Sequence, residues 1–398
     1  MDNSFGFAPG GPLAFERGEF DARLQRVRDS MDGFGVDVVV VTRPESIYYL
    51  TGYQTKGVFT FQAVVVTPNQ APQLLTRSTE DGNIRAALEG GSPLGAYRLY
   101  DDEQDPAETL VTLMDDMGVS RTARLGLETS SMGLPVPCYL ALKNRQDRPD
   151  FDVDVTYPLE EQRLVKSAQE IALMERAGEI AVAAMTSAIG AVHEGARESE
   201  VAAAALSTEA TSGGEYIGSW PNVVSGPRTK LSHQAWSERR VLAGEWILIE
   251  LAGVVARYHA ALERTVFVGE PTGLHREMVD VMHEANAAGR AALRAGNQLR
   301  DVYFAQYDLV KNAGLERFVH ARLGYPLGIG FPPSWSPSPA CSIVSNSEIV
   351  LEAGMAFHML TSLGDAKVGG MGHSHTIVVT EGDPRVLTED LVPTWSTP

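Results

Sequence analysis

Residues 246–265 read WILIELAGVVARYHAALERT. The run opens as a strand in which Trp246, Ile247, Leu248, Ile249 and Leu251 surround a single charge, Glu250. A carboxylate in apolar surroundings is costly unless something strong pairs with it. Arg257 and Arg264 lie close by in sequence and are one kind of partner; a cationic substrate is another. A second strand is predicted over residues 263–268. Perturbed carboxylates gather at functional sites, so Glu250 is the first candidate for chemistry.

Bulk properties narrow the class. A chain of 398 residues can bury large cores in two domains, and an apolar content of 44% with 21% charged residues is that of a globular protein. Fifty-one acidic against 33 basic side chains give a net charge of −18, which disfavours nucleic acid and anionic membranes as partners. Cys138 and Cys341 are too few for a disulfide framework and lack metal-binding spacing, so both are expected as packed thiols. The first twenty residues have no apolar signal core, and the apolar run 36–41 is interrupted by Asp37 and too short to span a bilayer. A cytoplasmic location and no membrane partner are expected.

Outward from the opening stretch, residues 19–34 carry Phe20, Leu24, Val27 and Met31 at helical spacing, and 36–41 reads as a buried strand. Residues 47–53 and 59–67 continue a strand-rich pattern, and 107–117 reads as a helix. Ser167 and Glu170 have the spacing of a capping box before a long alanine-rich helix that stops near Gly195. Further helices are predicted over 198–212, 275–295 and 301–313, and a strand over 376–380. The result is an α/β (α+β) chain with domains over 1–160 and 161–398.

The opening stretch resembles the strand pair that carries two metal-binding aspartates in the methionine aminopeptidase, prolidase and creatinase superfamily, the pita-bread enzymes. Counting back from Arg264-Thr265, the second aspartate position is Ala261, and eleven residues earlier stands Glu250. Leu327, in Pro326-Leu327-Gly328-Ile329-Gly330, takes the place of the family's histidine ligand, and Leu360 that of a glutamate. The segment 372–380 offers no carboxylate ahead of its strand. Two divalent ions need several oxygen ligands, so no dinuclear centre and no metal cofactor are expected. The stretch 258–265, with Glu263 directly before Arg-Thr, is similar to creatinase. Glu250-Leu251-Ala252-Gly253, Arg257-Tyr258-His259, the run 324–335 (GYPLGIGFPPSW) and Ala356-Phe357-His358-Met359 are similar to ectoine hydrolase. Residues 361–364 and 374–376 depart from that pattern, as do 54–59.

The resemblance implies a creatinase-like N-terminal domain followed by a pita-bread catalytic domain, a homodimer, and residues 53–61, Phe59 among them, reaching the partner's pocket. It also implies hydrolysis of a C–N bond in a small amidine-type compound, foremost the ring opening of ectoine to N-acetyl-diaminobutyrate. His233 stands at the position of the creatinase acid/base, and an imidazole suits proton transfer near neutral pH. Glu250 either attacks the amidine carbon or deprotonates water, its alternative being a buried ion pair. Glu263, His259, Tyr258, His358, Tyr325 and Trp335 are expected in the substrate pocket, although a plain salt bridge serves Glu263 equally well and packing is the default for each aromatic. His373 and His375 share one side of an extended segment and, with Glu263 or His358, could hold one zinc-like ion. The other readings are a creatinase-like amidinohydrolase, an Xaa-Pro peptidase-like enzyme with a rebuilt single-metal site, and a non-catalytic binding module.

Overall fold

The computed structural model describes residues 13–388 apart from 232, 320–321, 337–340 and 366, together with the backbone of 395–396. The chain divides into two compact units, Met1–Arg163 and Leu164–Pro398.

In the first unit, strands β1 (Val38–Val41), β2 (Ala63–Val66), β3 (Gln73–Arg77), β4 (Ala96–Tyr100), β5 (Leu125–Leu127) and β6 (Asp152–Asp154) form one sheet in the order β4-β3-β2-β1-β5-β6. Helices α1 (Arg17–Phe34), α2 (Pro44–Thr51), α3 (Asp81–Glu89), α4 (Pro106–Asp116), α5 (Val136–Arg145) and α6 (Thr156–Glu161) accompany it. Residues 47–53 were predicted as strand, yet 44–51 are helix. Pro44 opens that helix and Gly52 closes it in the left-handed region at φ 70°. Residues 45–51 are all buried, so no polar face marks the helical period. The buried Glu128 carboxylate anchors the helix start, accepting the Thr42 and Arg43 N–H groups at 2.7 and 2.8 Å and the Ser46 hydroxyl at 2.6 Å.

The second unit begins with α7 (Ala168–Gly190), whose Ser167–Glu170 capping box forms as the sequence predicts, and α8 (Glu198–Thr211). Strands β7 (Asn222–Ser225), β8 (Trp246–Val255) and β9 (Tyr258–Val268) follow, then α9 (Leu274–Ala292) and α10 (Leu299–Asn312). The chain ends with β10 (Gly324–Pro326), β11 (Ala356–Asp365), β12 (Gly369–Val378), β13 (Arg385–Val386) and β14 (Trp395–Ser396). Two sheets result, β14-β9-β8-β7 and β10-β11-β12-β13. Alternate residues of β8 and β9 pack with α7 and α8, among them Ile249, Leu251, Leu262 and Val266 with Ala181, Met185 and Ala205. Met359 and Ile377 instead join the cluster of Leu299 and Val302 from α10. Contact with α7 is close: a Cβ on Gly253 would stand 2.1 Å from the Ala177 carbonyl oxygen. β12 begins earlier than predicted, because Gly369-Gly370-Met371-Gly372 carries no alternation to read.

β8 turns into β9 through Ala256 and Arg257, at φ 47° and 65°. Two successive left-handed residues make the hairpin turn that matches strand twist, but neither is the glycine or asparagine such a turn favours. Glu215 offsets that cost by accepting the Ala256 N–H at 2.8 Å and the Arg257 N–H at 3.3 Å. The Arg257 guanidinium is fully buried, donates to the Gly330 and Tyr216 carbonyls, and lies over the Tyr216 ring with 3.9 Å to its centroid. Among the described residues, no helix is long and apolar enough to cross a membrane.

Glu209, on α8, is buried, its Oε1 has no hydrogen-bond partner, and burial pushes its carboxyl up to about 8. The folded state therefore holds a proton that the unfolded chain releases near pH 4.3. Its stabilising contribution is intact below that value and is lost as pH rises to about 8. Urea unfolding at pH 5 and at pH 8.5 is expected to show Glu209→Met gaining roughly 2 kcal/mol over wild type at the higher pH only. Equal differences at both pH values would contradict this.

Candidate active site

Cross-strand register builds the site. Glu250 of β8 stands opposite Glu263 of β9, and Asn222 of β7 stands opposite Glu250. Asn222 Nδ2 donates to Glu250 Oε2 at 2.6 Å, and the Ser362 hydroxyl of β11 donates to Glu263 Oε2 at 3.0 Å. Both donors are neutral. Burial raises the Glu250 carboxyl, against the Asn222 bond and the His233 charge, which lower it. Burial and then the Glu250 charge push Glu263 up to about 8. Two adjacent carboxylates cannot both ionise cheaply, so one keeps a proton at neutral pH.

Neither predicted arginine partner reaches Glu250 in that role. Arg257 braces the hairpin, and Arg264 donates to the carbonyls of Glu263 and Ser374 at 2.8 and 2.6 Å. Glu250 instead has His358 Nδ1 at 3.9 Å from its Oε1 and keeps 17% side-chain exposure. His358, fully buried on β11, is held by the Tyr325 hydroxyl at 2.8 Å on Nδ1 and the Ser374 hydroxyl at 2.6 Å on Nε2. Trp335 Nε1 donates to the Tyr325 hydroxyl at 3.0 Å. Burial, followed by the charge of His375, lowers His358 to about 3, and burial followed by the Glu250 charge raises Tyr325. Glu250, Glu263, His358, Tyr325 and Trp335 thus come together.

The other candidates fall elsewhere. His233 is exposed, sits in the left-handed region at φ 54°, and reaches Glu250 through its charge. His259 spends both ring nitrogens on the backbone: Nδ1 donates to the Arg257 carbonyl at 2.9 Å, and Nε2 accepts from the Gly218 N–H at 3.0 Å. Burial keeps that ring neutral. The Tyr258 hydroxyl donates to Glu170 at 2.7 Å, tying β9 to the start of α7. Phe59, in the first unit, is 85% exposed. His373 and His375 alternate with Ser374 and so lie on the opposite face of β12 from it. There His375 Nδ1 donates to the Thr388 carbonyl at 2.5 Å, and the two Nε2 atoms stand 3.1 Å apart. The expected ion joining them to Glu263 or His358 is thereby corrected, because a strand separates the two sets.

Asn222, Ser362 and Ser374 were not singled out from sequence. Ser362 had a readable signal, since His358, Leu360 and Ser362 share one face at strand spacing. Gly372 had none: a Cβ there would stand 2.0 Å from Glu263 Oε2, so only glycine lets the carboxylate lie across β12.

Residues 172–381 match the family described as metallopeptidase family M24, and residues 23–165 match the creatinase/prolidase N-terminal domain. The chain belongs to family M24, within the creatinase and prolidase group of pita-bread folds, and is a hydrolase of that family. It is 26% identical over 391 residues to the ectoine hydrolase of Halomonas elongata, covering 95% of this chain and 97% of that one. It is 28% identical over 386 residues to an uncharacterized hydrolase/peptidase, y4tM, of Sinorhizobium fredii, covering 94% and 97%. A third relative, the Xaa-Pro dipeptidase of Pyrococcus furiosus, is 25% identical over 368 residues, covering 92% and 97%. The fold matches the solved Xaa-Pro dipeptidase from Bacillus anthracis with a TM-score of 0.78 at 22% identity, covering 94% and 98%.

These relationships correct the expectation of an enzyme without a cofactor. The family is one of metallopeptidases, and its dipeptidase members typically depend on a metal. The residues at the positions of the dinuclear centre nevertheless do not fit it. Ala261 presents a methyl group, and both its backbone N–H and its carbonyl are occupied by the Thr376 hydroxyl. Leu327 is buried, Leu360 is half-buried, and Glu250 alone keeps a carboxylate. Among the described residues, no three His, Cys, Asp or Glu side chains group as metal ligands.

Gly372→Ala is expected to drive its methyl into the Glu263 carboxylate and to destabilise the fold by roughly 1–3 kcal/mol. Adding Glu263→Ala should recover much of that loss, a coupling that denaturant titration of the four proteins measures. A Gly372→Ala protein as stable as wild type would contradict the placement.

Proposed function

We propose that this site hydrolyses a C–N bond in a small amidinium compound, with ectoine the first candidate. The observation that carries the reading is Glu250 facing Glu263 with only neutral hydrogen-bond donors, Asn222 and Ser362, on the two carboxylates. Such a pair retains negative charge that a bound cation would stabilise. One carboxylate ionised and the other protonated also divides base from acid at a single pH. The ionised Glu250 holds the cation and supports delivery of a nucleophile. The protonated Glu263 is placed to give a proton to the departing nitrogen. His233, exposed near Glu250, modulates that charge rather than touching the reacting atoms.

Product formation from ectoine, followed by proton NMR, tests the reading. Glu250→Gln keeps the volume and removes the charge, so turnover should fall at least ~10³-fold with the fold intact. His233→Ala should cost less than about tenfold, where a direct acid/base would cost ~10²–10⁴-fold. Loss of the Glu263 proton should bring kcat down as pH rises through about 8. A fully active Glu250→Gln enzyme would move the active centre elsewhere. The identity to an Xaa-Pro dipeptidase, close to that with ectoine hydrolase, supports a second reading as a metal-dependent dipeptidase. Cleavage of Xaa-Pro dipeptides only after a divalent ion is added, with ectoine untouched, would favour it.

Assembly belongs to the same proposal. A homodimer with residues 53–61 against the partner would cover Phe59, whose ring is 85% exposed in the single chain. Sedimentation velocity at micromolar concentration should give a dimer, and a monomer would count against it.

A further inference from the structure

We infer that Ser374 is the nucleophile of this site, with His358 as its base, Tyr325 orienting the imidazole and Glu250 beside it. The inference rests on the reading that the site hydrolyses a C–N bond, and adds the group that attacks.

The geometry is that of a serine–histidine pair with a carboxylate nearby. Ser374 Oγ lies 2.6 Å from His358 Nε2, the Tyr325 hydroxyl lies 2.8 Å from the other ring nitrogen, Nδ1, and Glu250 Oε1 lies 3.9 Å from Nδ1. Recognition of such an arrangement depends on roles and distances, since it recurs on unrelated folds in different chain orders. Here the order is carboxylate, base, nucleophile.

Proton accounting makes the serine available. The Trp335 indole can only donate, so the Tyr325 oxygen accepts from it. Two arrangements remain along the chain. In one, the Tyr325 hydroxyl donates to Nδ1, and Nε2 carries a proton towards Ser374. In the other, Nδ1 carries the proton and donates to Tyr325, so Nε2 is bare and accepts the serine hydroxyl. An ionised Glu250 near Nδ1 favours the second arrangement and stabilises the imidazolium formed when the ring takes the serine proton. Burial keeps the ring neutral at rest, as a base must be, and weakens it as a base, as do the charges of His375, Arg322 and Arg264.

Ser374 also faces the right way. It shares its side of β12 with Gly372, across which the Glu263 carboxylate lies. The two histidines flanking it point to the other side.

The step balances without a further reactant. Ser374 Oγ bonds to the amidine carbon as its proton passes to His358 Nε2. The C–N bond breaks and the departing nitrogen takes the Glu263 proton, leaving an imidate ester on the serine. Water adds to that carbon, giving a proton to the Glu263 carboxylate. The Oγ–C bond then breaks, Oγ recovers its proton from Nε2, and an amide is released.

The test does not depend on knowing the substrate. Diethyl p-nitrophenyl phosphate is incubated with the full chain, and the adduct is mapped by peptide mass spectrometry. One phosphorylated serine is expected, Ser374, with labelling at least ~100-fold slower in a folded His358→Gln protein. Ser374→Cys gives a second readout: at neutral pH iodoacetamide should alkylate position 374 faster than Cys138 or Cys341, whose buried thiols are pushed up to about 11. On ectoine, Ser374→Ala should lower kcat at least ~10³-fold. Absence of reaction at 374 with both reagents, or full turnover by Ser374→Ala, overturns the inference. Labelling of Ser374 by an enzyme that leaves ectoine intact upholds it and removes only ectoine as the substrate.

Discussion

Glu250 and Glu263 face each other across adjacent strands in a largely buried space, and the rest of the second unit accommodates that arrangement. Two carboxylates so placed repel when both are charged, and each pays for leaving water. The surroundings lessen the penalty without cancelling the charge: an amide donates to one, a hydroxyl to the other, and a glycine on β12 leaves room for the second. Both arginines in reach instead donate to backbone carbonyls, one at the hairpin turn and one beside the site.

Keeping that pair aligned requires a fixed register, because a slip by one residue would send Glu250 into the α7 face and Ile249 to the opposite face. The turn at Ala256 and Arg257 pins the register, and Glu215 holds the turn. Tyr258 bonds to the α7 cap and His259 clasps the backbone at Gly218. Three residues with chemically versatile side chains, Arg257, Tyr258 and His259, are thus spent on position. Their polar atoms are satisfied within the scaffold, which leaves them little to offer a ligand.

Much of this was legible in the sequence. The capping box marks where α7 starts, and Glu250, His358 and Tyr325, expected at one site, lie near one another. Misreadings arose where one side chain has two uses and only the third dimension chooses. Arg257 reads as a partner of Glu250 until its guanidinium is traced to the Gly330 and Tyr216 carbonyls and to Glu215. His259 reads as a pocket residue until both ring nitrogens are traced to backbone atoms. His373 and His375 read as ligands beside Glu263, whereas strand alternation sends them behind the sheet. Residues 44–51 failed for a different reason, since complete burial erases the polar face that distinguishes helix from strand.

Charge ties the site to its family. The positions that hold a pair of divalent ions elsewhere in family M24 here carry one carboxylate at Glu250, a methyl at Ala261 and the leucines 327 and 360. Removing acidic ligands removes the charge that compensates two such ions, and the leucines fill space that would otherwise admit water. Glu263 restores part of the lost acidity one strand away, with a proton that it keeps to about pH 8. Burial raises both carboxyls, so the pair is not doubly charged at neutral pH. That is less charge than two divalent ions call for. A monocation lying between Glu250 and Glu263 would favour ionisation of both while it is bound and let one reprotonate as it leaves. Binding of such a cation would in this way be coupled to proton release through the same two side chains.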